Sequence, residues 1–143
     1  LAEQGIHEMP EIVYVLEPQL DADEFISVLN RSTLGERRPV NDRQRMEGML
    51  NRADLIVTAR CEGLLVGVSR AITDFEFCTY LSDLAVDEAY QRQGIGKRLI
   101  EETHLAAGKK TMLVLIAAPA AVAYYPHIGM QAHPSCWYIP RSE

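Results

Sequence analysis

A strand-like run, a glycine-containing turn and a helical pattern follow one another in the second half of the chain. The run is Thr79–Val86, and the turn Gln91–Gly96 has the sequence Gln-Arg-Gln-Gly-Ile-Gly. Gly94 and Gly96 lack a Cβ, so an anion can approach the main chain and the backbone can adopt a positive φ. The helix that follows adds unpaired first-turn N–H groups and the positive end of its dipole. The sequence therefore predicts a turn that binds a pyrophosphate group.

This turn differs from two common phosphate-binding loops. The dinucleotide fingerprint Gly-x-Gly-x-x-Gly fails because Leu99 stands at its third glycine position. The nucleoside-triphosphate loop requires Ser or Thr after Gly-Lys, and here Gly96 and Lys97 are followed by Arg98. Neither class of nucleotide is therefore predicted as the ligand.

A different family matches the same residues. The strand end Leu84–Val86, a short acidic turn and Gln91-x-x-Gly94-x-Gly96 resemble the central motif of the GNAT N-acetyltransferases, Gln/Arg-x-x-Gly-x-Gly/Ala. The resemblance implies that strand, turn and helix hold the pantetheine and pyrophosphate of acetyl-CoA, the cosubstrate. It also implies that the backbone N–H of Leu84 polarises the thioester carbonyl. The implied cofactor-binding residues are Leu84, Ala85, Val86, Gln91, Arg92, Gln93, Gly94, Ile95, Gly96 and Lys97.

The predicted element order is β-α-α-β-β-β-α-β-α-β. Apolar and β-branched runs predict strands at Ile12–Leu16, Leu55–Cys61, Leu64–Asp74, Thr79–Val86, Thr111–Ala117 and Trp137–Pro140. Helices are predicted to start near Asp21, near Asp42, at Ile95 and at Pro119, the last running to Tyr125. This is an α/β order, and it is also the order of the GNAT fold. The resemblance implies a single-domain GNAT-like fold, with a mixed, mostly antiparallel central sheet flanked by helices.

The length of 143 residues suits one compact domain. The residues before Met9 show no clear pattern. We therefore expect residues 1–8 to be a remnant of the expression vector and residues 9–143 to form a single N-acetyltransferase domain.

Bulk properties narrow the partners. The net charge of −6 argues against a nucleic-acid partner, which usually needs a basic stripe, and is compatible with cationic acceptors. No apolar run approaches the roughly 20 residues that span a bilayer, so no membrane partner is expected. Cys61, Cys78 and Cys136 lie in apolar runs, which predicts buried, reduced thiols in a cytoplasmic protein. No spacing typical of a metal site is present. A homodimer is compatible with the sequence.

A second motif lies near the end of the chain. Ala121-Val-Ala-Tyr-Tyr125-Pro-His-Ile-Gly129-Met130 resembles the later GNAT motif, roughly Ala-x-x-Phe-Tyr-x-x-x-Gly-Phe. The resemblance implies that Tyr125 gives its proton to the departing CoA thiolate, and a phenol is a plausible donor to a thiolate of similar basicity. Two departures are Ala118, where the family commonly has Asn, and Pro126, which disfavours a helical Tyr125. Tyr124 is the alternative acid.

The general base is the least defined part of the predicted site. Strand alternation places Tyr80, Ser82 and Leu84 on one face, and Leu81, Asp83 and Ala85 on the other. The face of Leu84 carries no carboxylate or histidine. We therefore expect water to pass the amine proton towards Tyr80, Ser82 or solvent. Asp83 either takes part at the substrate or pairs structurally.

Five of the fourteen cations lie in one irregular segment, between residues 31 and 45. In GNAT proteins this region helps to line the acceptor site, which suggests recognition of a carboxylate or phosphate on the acceptor. An exposed, solvated loop is the alternative. The five are Arg31, Arg37, Arg38, Arg43 and Arg45.

Together, the residues and the resemblance predict an acyltransferase that moves an acetyl group from acetyl-CoA to a primary amine. Direct attack in a ternary complex is expected, because no nucleophile for an acetyl-enzyme is evident. A small-molecule amine is the leading acceptor, and a protein lysine or N-terminal amine is the alternative. A CoA-binding sensor without catalysis and a non-catalytic interaction module are rival interpretations.

Overall fold

The computed structural model describes residues 10–142. Residues 1–9 and 143 lie outside that range, and with them the predicted vector remnant. The strands within the described range are β1 (Ile12–Leu16), β2 (Leu55–Cys61), β3 (Leu64–Thr73), β4 (Cys78–Val86) and β5 (Met112–Val114). The α-helices there are α1 (Ala22–Arg31), α2 (Arg43–Asn51), α3 (Ile95–Ala107) and α4 (Tyr124–His127). Short 3₁₀ turns occur at Leu34–Arg37, Glu88–Tyr90 and Pro119–Ala121.

One mixed sheet contains these strands, in the order β1-β2-β3-β4-β5. The first three junctions are antiparallel, and the β4–β5 junction is parallel. A two-residue turn joins β2 to β3, with positive φ at Glu62 (49°) and Gly63 (85°), as a tight hairpin requires. The parallel junction follows from the crossover through α3. The predicted mixed, mostly antiparallel sheet is confirmed.

Both faces of the sheet are covered by helices. The two N-terminal helices begin where their caps were predicted, because the Asp21 and Asp42 carboxylates accept the amides of Glu24 and Arg45, at 3.2 and 3.1 Å. The core between these helices and one sheet face contains Phe25, Val28, Leu29, Met46, Leu50, Ile56, Leu65, Val68 and Ala85. On the other face, the α3 residues Ile95 and Leu99 pack on Val57, Ala59 and Val66.

Strand β4 carries an extra residue at Ser82. Arg70 and Ala71, which are neighbours on β3, pair with Asp83 and Leu81, so that Ser82 has no partner on β3. Cross-strand partners share a face of the sheet. Asp83 therefore lies with Arg70 on the face of α1 and α2, and Leu81 lies with Ala71 on the face of α3.

This bulge overturns the predicted alternation along β4. Tyr80 pairs with Ile72, two residues beyond Arg70 on β3, and so lies on the face of α1 and α2. Leu84 packs with the α3 core, on the opposite face. The prediction that Tyr80 and Leu84 share a face is wrong, because the extra residue at Ser82 shifts the alternation by one position.

The region after β5 is less regular than predicted. β5 is three residues long, although the apolar run extends to Ala117. The predicted helix from Pro119 to Tyr125 is replaced by a 3₁₀ turn and the short α4. Pro126 is the third residue of α4, where a missing N–H costs no helical hydrogen bond.

The last predicted strand, Trp137–Pro140, is not formed. Trp137, Tyr138 and Ile139 are 88%, 75% and 95% exposed, and no strand of the described sheet lies beside them. High strand propensity has little effect without a neighbour that supplies packing and hydrogen bonds.

Two further observations concern the predictions for the cysteines and for membrane-spanning segments. Cys61 is buried, but Cys78 and Cys136 are exposed, so the prediction of three buried thiols is wrong for two of them. No helix among the described residues is long and apolar enough to cross a membrane.

Candidate active site

The sheet opens between β4 and β5. Their ladder joins only Cys78, Thr79 and Tyr80 to Met112, Leu113 and Val114, whereas β4 continues to Val86. A hydrogen bond of 2.8 Å between the buried hydroxyls of Thr79 and Thr111 fixes the closed end of this junction. Beyond Tyr80, one edge of β4 therefore faces a gap.

The direction of the backbone amides in this gap follows from the β3–β4 register. The Asp87 amide donates to the Val66 carbonyl of β3, at 2.8 Å. Alternate residues of a strand direct their N–H groups to the same side, so the Ala85 amide also faces β3, and the Leu84 and Val86 amides face the gap. The Leu84 N–H lies where a carbonyl acceptor could reach it.

The side chain of Gln91 closes the gap at its glycine-turn end. Its Nε2 donates to the Val86 carbonyl at 3.1 Å, which ties the turn to the end of β4. Beneath the turn, Asp87 pairs with Arg31 of α1 and accepts the Ala89 amide at 2.9 Å. The glycine turn is therefore attached to both β4 and α1.

The turn itself presents free amides. Within residues 10–142, the N–H groups of residues 92–96 donate to no backbone or side-chain acceptor, and residues 91–94 are exposed. Positive φ at Arg92 (65°) and Gly94 (79°) bends the chain there, and a Cβ on Gly94 would meet no atom within 4 Å. Consecutive amides in such a bend form an anion-binding concavity.

Gly96 differs from Gly94, because it is covered. A Cβ on Gly96 would lie 2.6 Å from the hydroxyl oxygen of Tyr124. Burial raises the pKa of Tyr124, and the nearby backbone of Lys97 partly offsets this effect. The anion site open to solvent is thus the Gly94 side of the turn.

Tyr125 lies beside this covered position. Its ring meets that of Tyr124 edge to face, with centroids 5.3 Å apart. Burial, and secondarily the neighbouring phenol, raise the pKa of Tyr125 above its usual value of 10. Tyr125 is therefore protonated at neutral pH, which the predicted acid role requires, and the role itself stays a prediction.

Asp83 is held in an enclosed ion-pair cluster. Its side chain is fully buried between the guanidinium groups of Arg38 and Arg70. Arg38 also donates to the Ser82 carbonyl at 2.7 Å, and Arg70 to the Ser82 hydroxyl at 3.0 Å. Of the two predicted roles for Asp83, structural pairing is confirmed. The substrate role is wrong, since the carboxylate is inaccessible.

The predicted base candidates are not brought together with Leu84. Tyr80 is 39% exposed on the other face of the sheet. Ser82 is half-buried, and its hydroxyl accepts the bond from Arg70. The role of Tyr80 and Ser82 as proton relays stays a prediction. The two residues do not share the face of Leu84 in the way the sequence predicted.

The arginine-rich segment is mostly engaged within the protein. Arg31, Arg38 and Arg43 pair with Asp87, Asp83 and Asp23. Within the described residues, Arg37 and Arg45 are exposed and have no ion pair within 4 Å. The hypothesis of acceptor recognition is therefore limited to these two.

The Arg38–Asp83–Arg70 cluster was not foreseen from the sequence. A usable signal was present, since Arg70 is the one charged residue within the mostly apolar β3, and Asp83 the one within β4. Charges within strands of this kind are rarely buried without partners. A different class of site is not indicated, because the described residues contain no group of three or more His, Cys, Asp or Glu side chains that could hold a metal ion.

The sequence profile of the acetyltransferase (GNAT) domain matches residues 30–135. The chain belongs to the GNAT acetyltransferase family. The match includes β4, the glycine turn and both tyrosines. Acetyl-CoA is the acyl donor of this family, and a gap at β4 beside a turn of free amides fits its pantetheine and diphosphate.

Known proteins agree with this assignment. The chain is 35% identical over 75 residues to GCN5-related N-acetyltransferase 2, a chloroplastic protein of Arabidopsis thaliana. That alignment covers 51% of this chain and 29% of the relative, so the chain spans less than a third of the relative's length.

Solved structures share the fold. A GNAT-family acetyltransferase from Streptococcus pneumoniae superposes with a TM-score of 0.73 at 22% identity, covering 92% of this chain and 99% of the other. The aminoglycoside N-acetyltransferase AAC(6')-Iy, in complex with CoA, gives a TM-score of 0.71 at 13% identity, with 96% and 99% covered.

The buried cluster generates a stability prediction. Asp83→Asn leaves two guanidinium groups facing each other without their shared anion, and should lower the free energy of unfolding by about 3 kcal/mol or more. Urea unfolding followed by circular dichroism measures the change. Asp23→Asn is the matched control, because the Asp23–Arg43 pair is largely exposed and its loss should leave the midpoint unchanged. Equal effects of the two substitutions would contradict the prediction.

Proposed function

We propose that this protein transfers the acetyl group of acetyl-CoA to a primary amine of a small molecule. One observation carries the proposal: an open edge of β4, with the Leu84 and Val86 amides facing it, ends at a turn whose amides are free. An acyl-CoA carries an amide-containing arm joined to a diphosphate, so it needs both features in this order. Membership of the GNAT family supports the same assignment.

Acetyl-CoA would supply the thioester whose C–S bond breaks as the amine forms the new C–N bond. The Leu84 N–H is oriented in advance by the sheet, so it can stabilise charge on the carbonyl oxygen with little rearrangement. The free amides on the Gly94 side would bind the diphosphate and fix the thioester at Leu84. Catalysis then depends on backbone groups more than on side chains.

The leaving thiolate needs a proton, and Tyr125 is our assignment for the donor. Its raised pKa keeps the phenol protonated at neutral pH. Tyr124 is the alternative donor, and its hydroxyl lies against Gly96 at the start of α3. We assign loss of the amine proton to water that passes it to solvent, because Tyr80 lies on the other face of the sheet from Leu84 and the Ser82 hydroxyl is bound by Arg70.

A panel of acceptors tests the reaction and its substrate class. Thiol release from acetyl-CoA is followed with aminoglycosides, polyamines and amino acids, and with peptides bearing a free lysine or N-terminal amine. Release with small amines alone supports the proposal, and release with peptides alone replaces it with protein acetylation. CoA binding without turnover would favour the sensor. Failure to bind CoA in calorimetry would exclude all three. A cytoplasmic location and the absence of a nucleic-acid partner stay predictions.

The glycine turn gives a binding prediction. Gly94 has φ +79°, which costs an L-residue roughly 1–2 kcal/mol, and relaxation of the turn in Gly94→Ala would rotate its amides away from the diphosphate. The dissociation constant for CoA in calorimetry should rise about tenfold. Gly63→Ala is the matched control, since Gly63 has φ +85° and lies in the β2–β3 hairpin. A comparable loss of CoA affinity in both variants would refute the diphosphate site.

The acid assignment gives a kinetic prediction. Tyr125→Phe should lower kcat by about 10²–10⁴-fold and leave the affinity for acetyl-CoA unchanged, because only proton donation is removed. Because the pKa of Tyr125 is raised, the phenol stays protonated to higher pH, and the loss of kcat on the alkaline side should occur at a higher pH than for an ordinary phenol. Tyr138→Phe, in the exposed C-terminal segment, serves as the control. If Tyr124→Phe alone carries the loss, the acid is Tyr124.

A further inference from the structure

Arg38 connects the segment between α1 and α2 to β4, at the residue where β4 bulges. Its Nε pairs with Asp83, and its second terminal nitrogen donates to the Ser82 carbonyl at 2.7 Å. The remaining terminal nitrogen donates to the Arg37 carbonyl at 2.9 Å. The guanidinium therefore binds the β4 backbone and the Asp83 side chain through different nitrogens.

Arg70 holds the same point from β3. It pairs with Asp83, and it donates to the Ser82 hydroxyl at 3.0 Å and to the Met49 carbonyl at 3.4 Å. The Ser82 carbonyl is thus bound by Arg38 and the Ser82 hydroxyl by Arg70. The bulge residue, which has no partner on β3, is fixed by side chains instead.

A buried ion-pair cluster is a poor way to gain stability. Desolvation of three charges offsets most of their attraction, and apolar side chains of similar volume would often stabilise a fold equally well. What the cluster provides is geometric, because a guanidinium is planar and its donors have fixed directions. The geometry that the cluster fixes is that of the backbone at Ser82.

The consequence concerns Leu84, two residues beyond the bulge. A bulge bends its strand and increases the local twist, so its exact conformation sets the direction of the amides that follow. The ladder to β5 ends at Tyr80, immediately before the bulge. No strand on that side fixes the direction of the Leu84 N–H. On the other side Leu84 pairs with Ser69 of β3, and this pairing begins at the bulge that the bonds to Ser82 hold.

We propose that Arg38 is a positioning residue for acyl transfer. Its bonds to Asp83 and to the Ser82 carbonyl fix the conformation of the bulge, and this conformation directs the Leu84 N–H towards the thioester carbonyl. Arg38 acts through the β4 backbone and does not touch the substrate. The proposal rests on the proposed function, because it requires a thioester beside Leu84.

Infrared spectroscopy of bound acetyl-CoA measures the hydrogen bond from the Leu84 N–H to the thioester carbonyl. Comparison of acetyl-CoA labelled with ¹³C at the acetyl carbonyl and unlabelled acetyl-CoA identifies the carbonyl stretch. The frequency of this stretch is then measured for free and for bound acetyl-CoA. A hydrogen bond to the carbonyl oxygen weakens the C=O bond and lowers its frequency, so the wild-type complex should show a lower frequency than free acetyl-CoA. This readout needs no acceptor, and it reports on the bond to Leu84 rather than on the stability of the fold.

Arg38→Lys is the decisive variant. A lysine keeps the positive charge beside Asp83, but its single ammonium cannot bind Asp83 and the Ser82 carbonyl in the directions that the guanidinium does. We expect at least half of the frequency shift to be lost and kcat, with the best amine of the panel, to fall about tenfold. The dissociation constant of acetyl-CoA should stay within about twofold, because the diphosphate turn is intact.

Arg52→Lys is the matched control. Arg52 follows α2, is exposed and donates from its side chain to no acceptor among residues 10–142, so this variant should keep the wild-type stretch and affinity. The urea midpoint of each variant is measured alongside. A lower midpoint for Arg38→Lys with an unchanged carbonyl frequency would show a purely structural role and overturn the proposal.

Two results with the wild type separate this inference from the proposed function. If acetyl-CoA binds and its carbonyl frequency equals that of the free compound, the Leu84 donor and the role of Arg38 are both refuted, while CoA binding stands. If acetyl-CoA does not bind, the proposed function itself fails.

Discussion

The site depends on the unequal neighbours of β4. On one side β4 pairs with β3 along nearly its whole length, and on the other it pairs with β5 over three residues. The first junction fixes the strand and orients its amides. The second leaves the amides of Leu84 and Val86 without a strand partner. A polar backbone edge inside a protein is costly to leave unpaired, so an open edge next to a core indicates a ligand that completes it.

The glycine turn continues the same arrangement. The carbonyl of Val86 is bound by Gln91, and the amides immediately after it are free. Arg31 and Asp87 anchor the turn to α1, so the free amides are presented by a supported backbone and not by a mobile loop. Preorganised amides of this kind bind an anion without paying for their own ordering. Backbone groups therefore define both ends of the proposed acetyl-CoA site.

The parts that the sequence could predict are those encoded locally. Helix caps at Asp21 and Asp42, the hairpin at Gly63 and the turn at Gly94 each depend on residues within one or two turns of chain. Their side-chain chemistry or backbone freedom specifies the conformation directly. The family motif added the identity of the ligand, which spacing and periodicity do not contain.

The parts that the sequence could not predict depend on distant pairing. The bulge at Ser82 has no local signature, because it depends on how distant residues of β3 and of the segment between α1 and α2 contact β4. One extra residue was enough to move Tyr80 to the wrong face of the predicted site. The strand predicted at Trp137–Pro140 failed for a related reason, since propensity alone does not supply a partner.

The Asp83 cluster depends both on the local sequence of β4 and on pairing with distant residues. From the sequence, Asp83 either takes part at the substrate or pairs structurally, and its burial between two arginines could only be seen after folding. Without a role for Asp83, the reactive geometry of the proposed site would be set by main-chain donors and one phenol. The chemistry of such a site would depend on the path of β4 more than on the side chain at Leu84. The conformation of the bulge is therefore the feature of the fold that the chemistry constrains most.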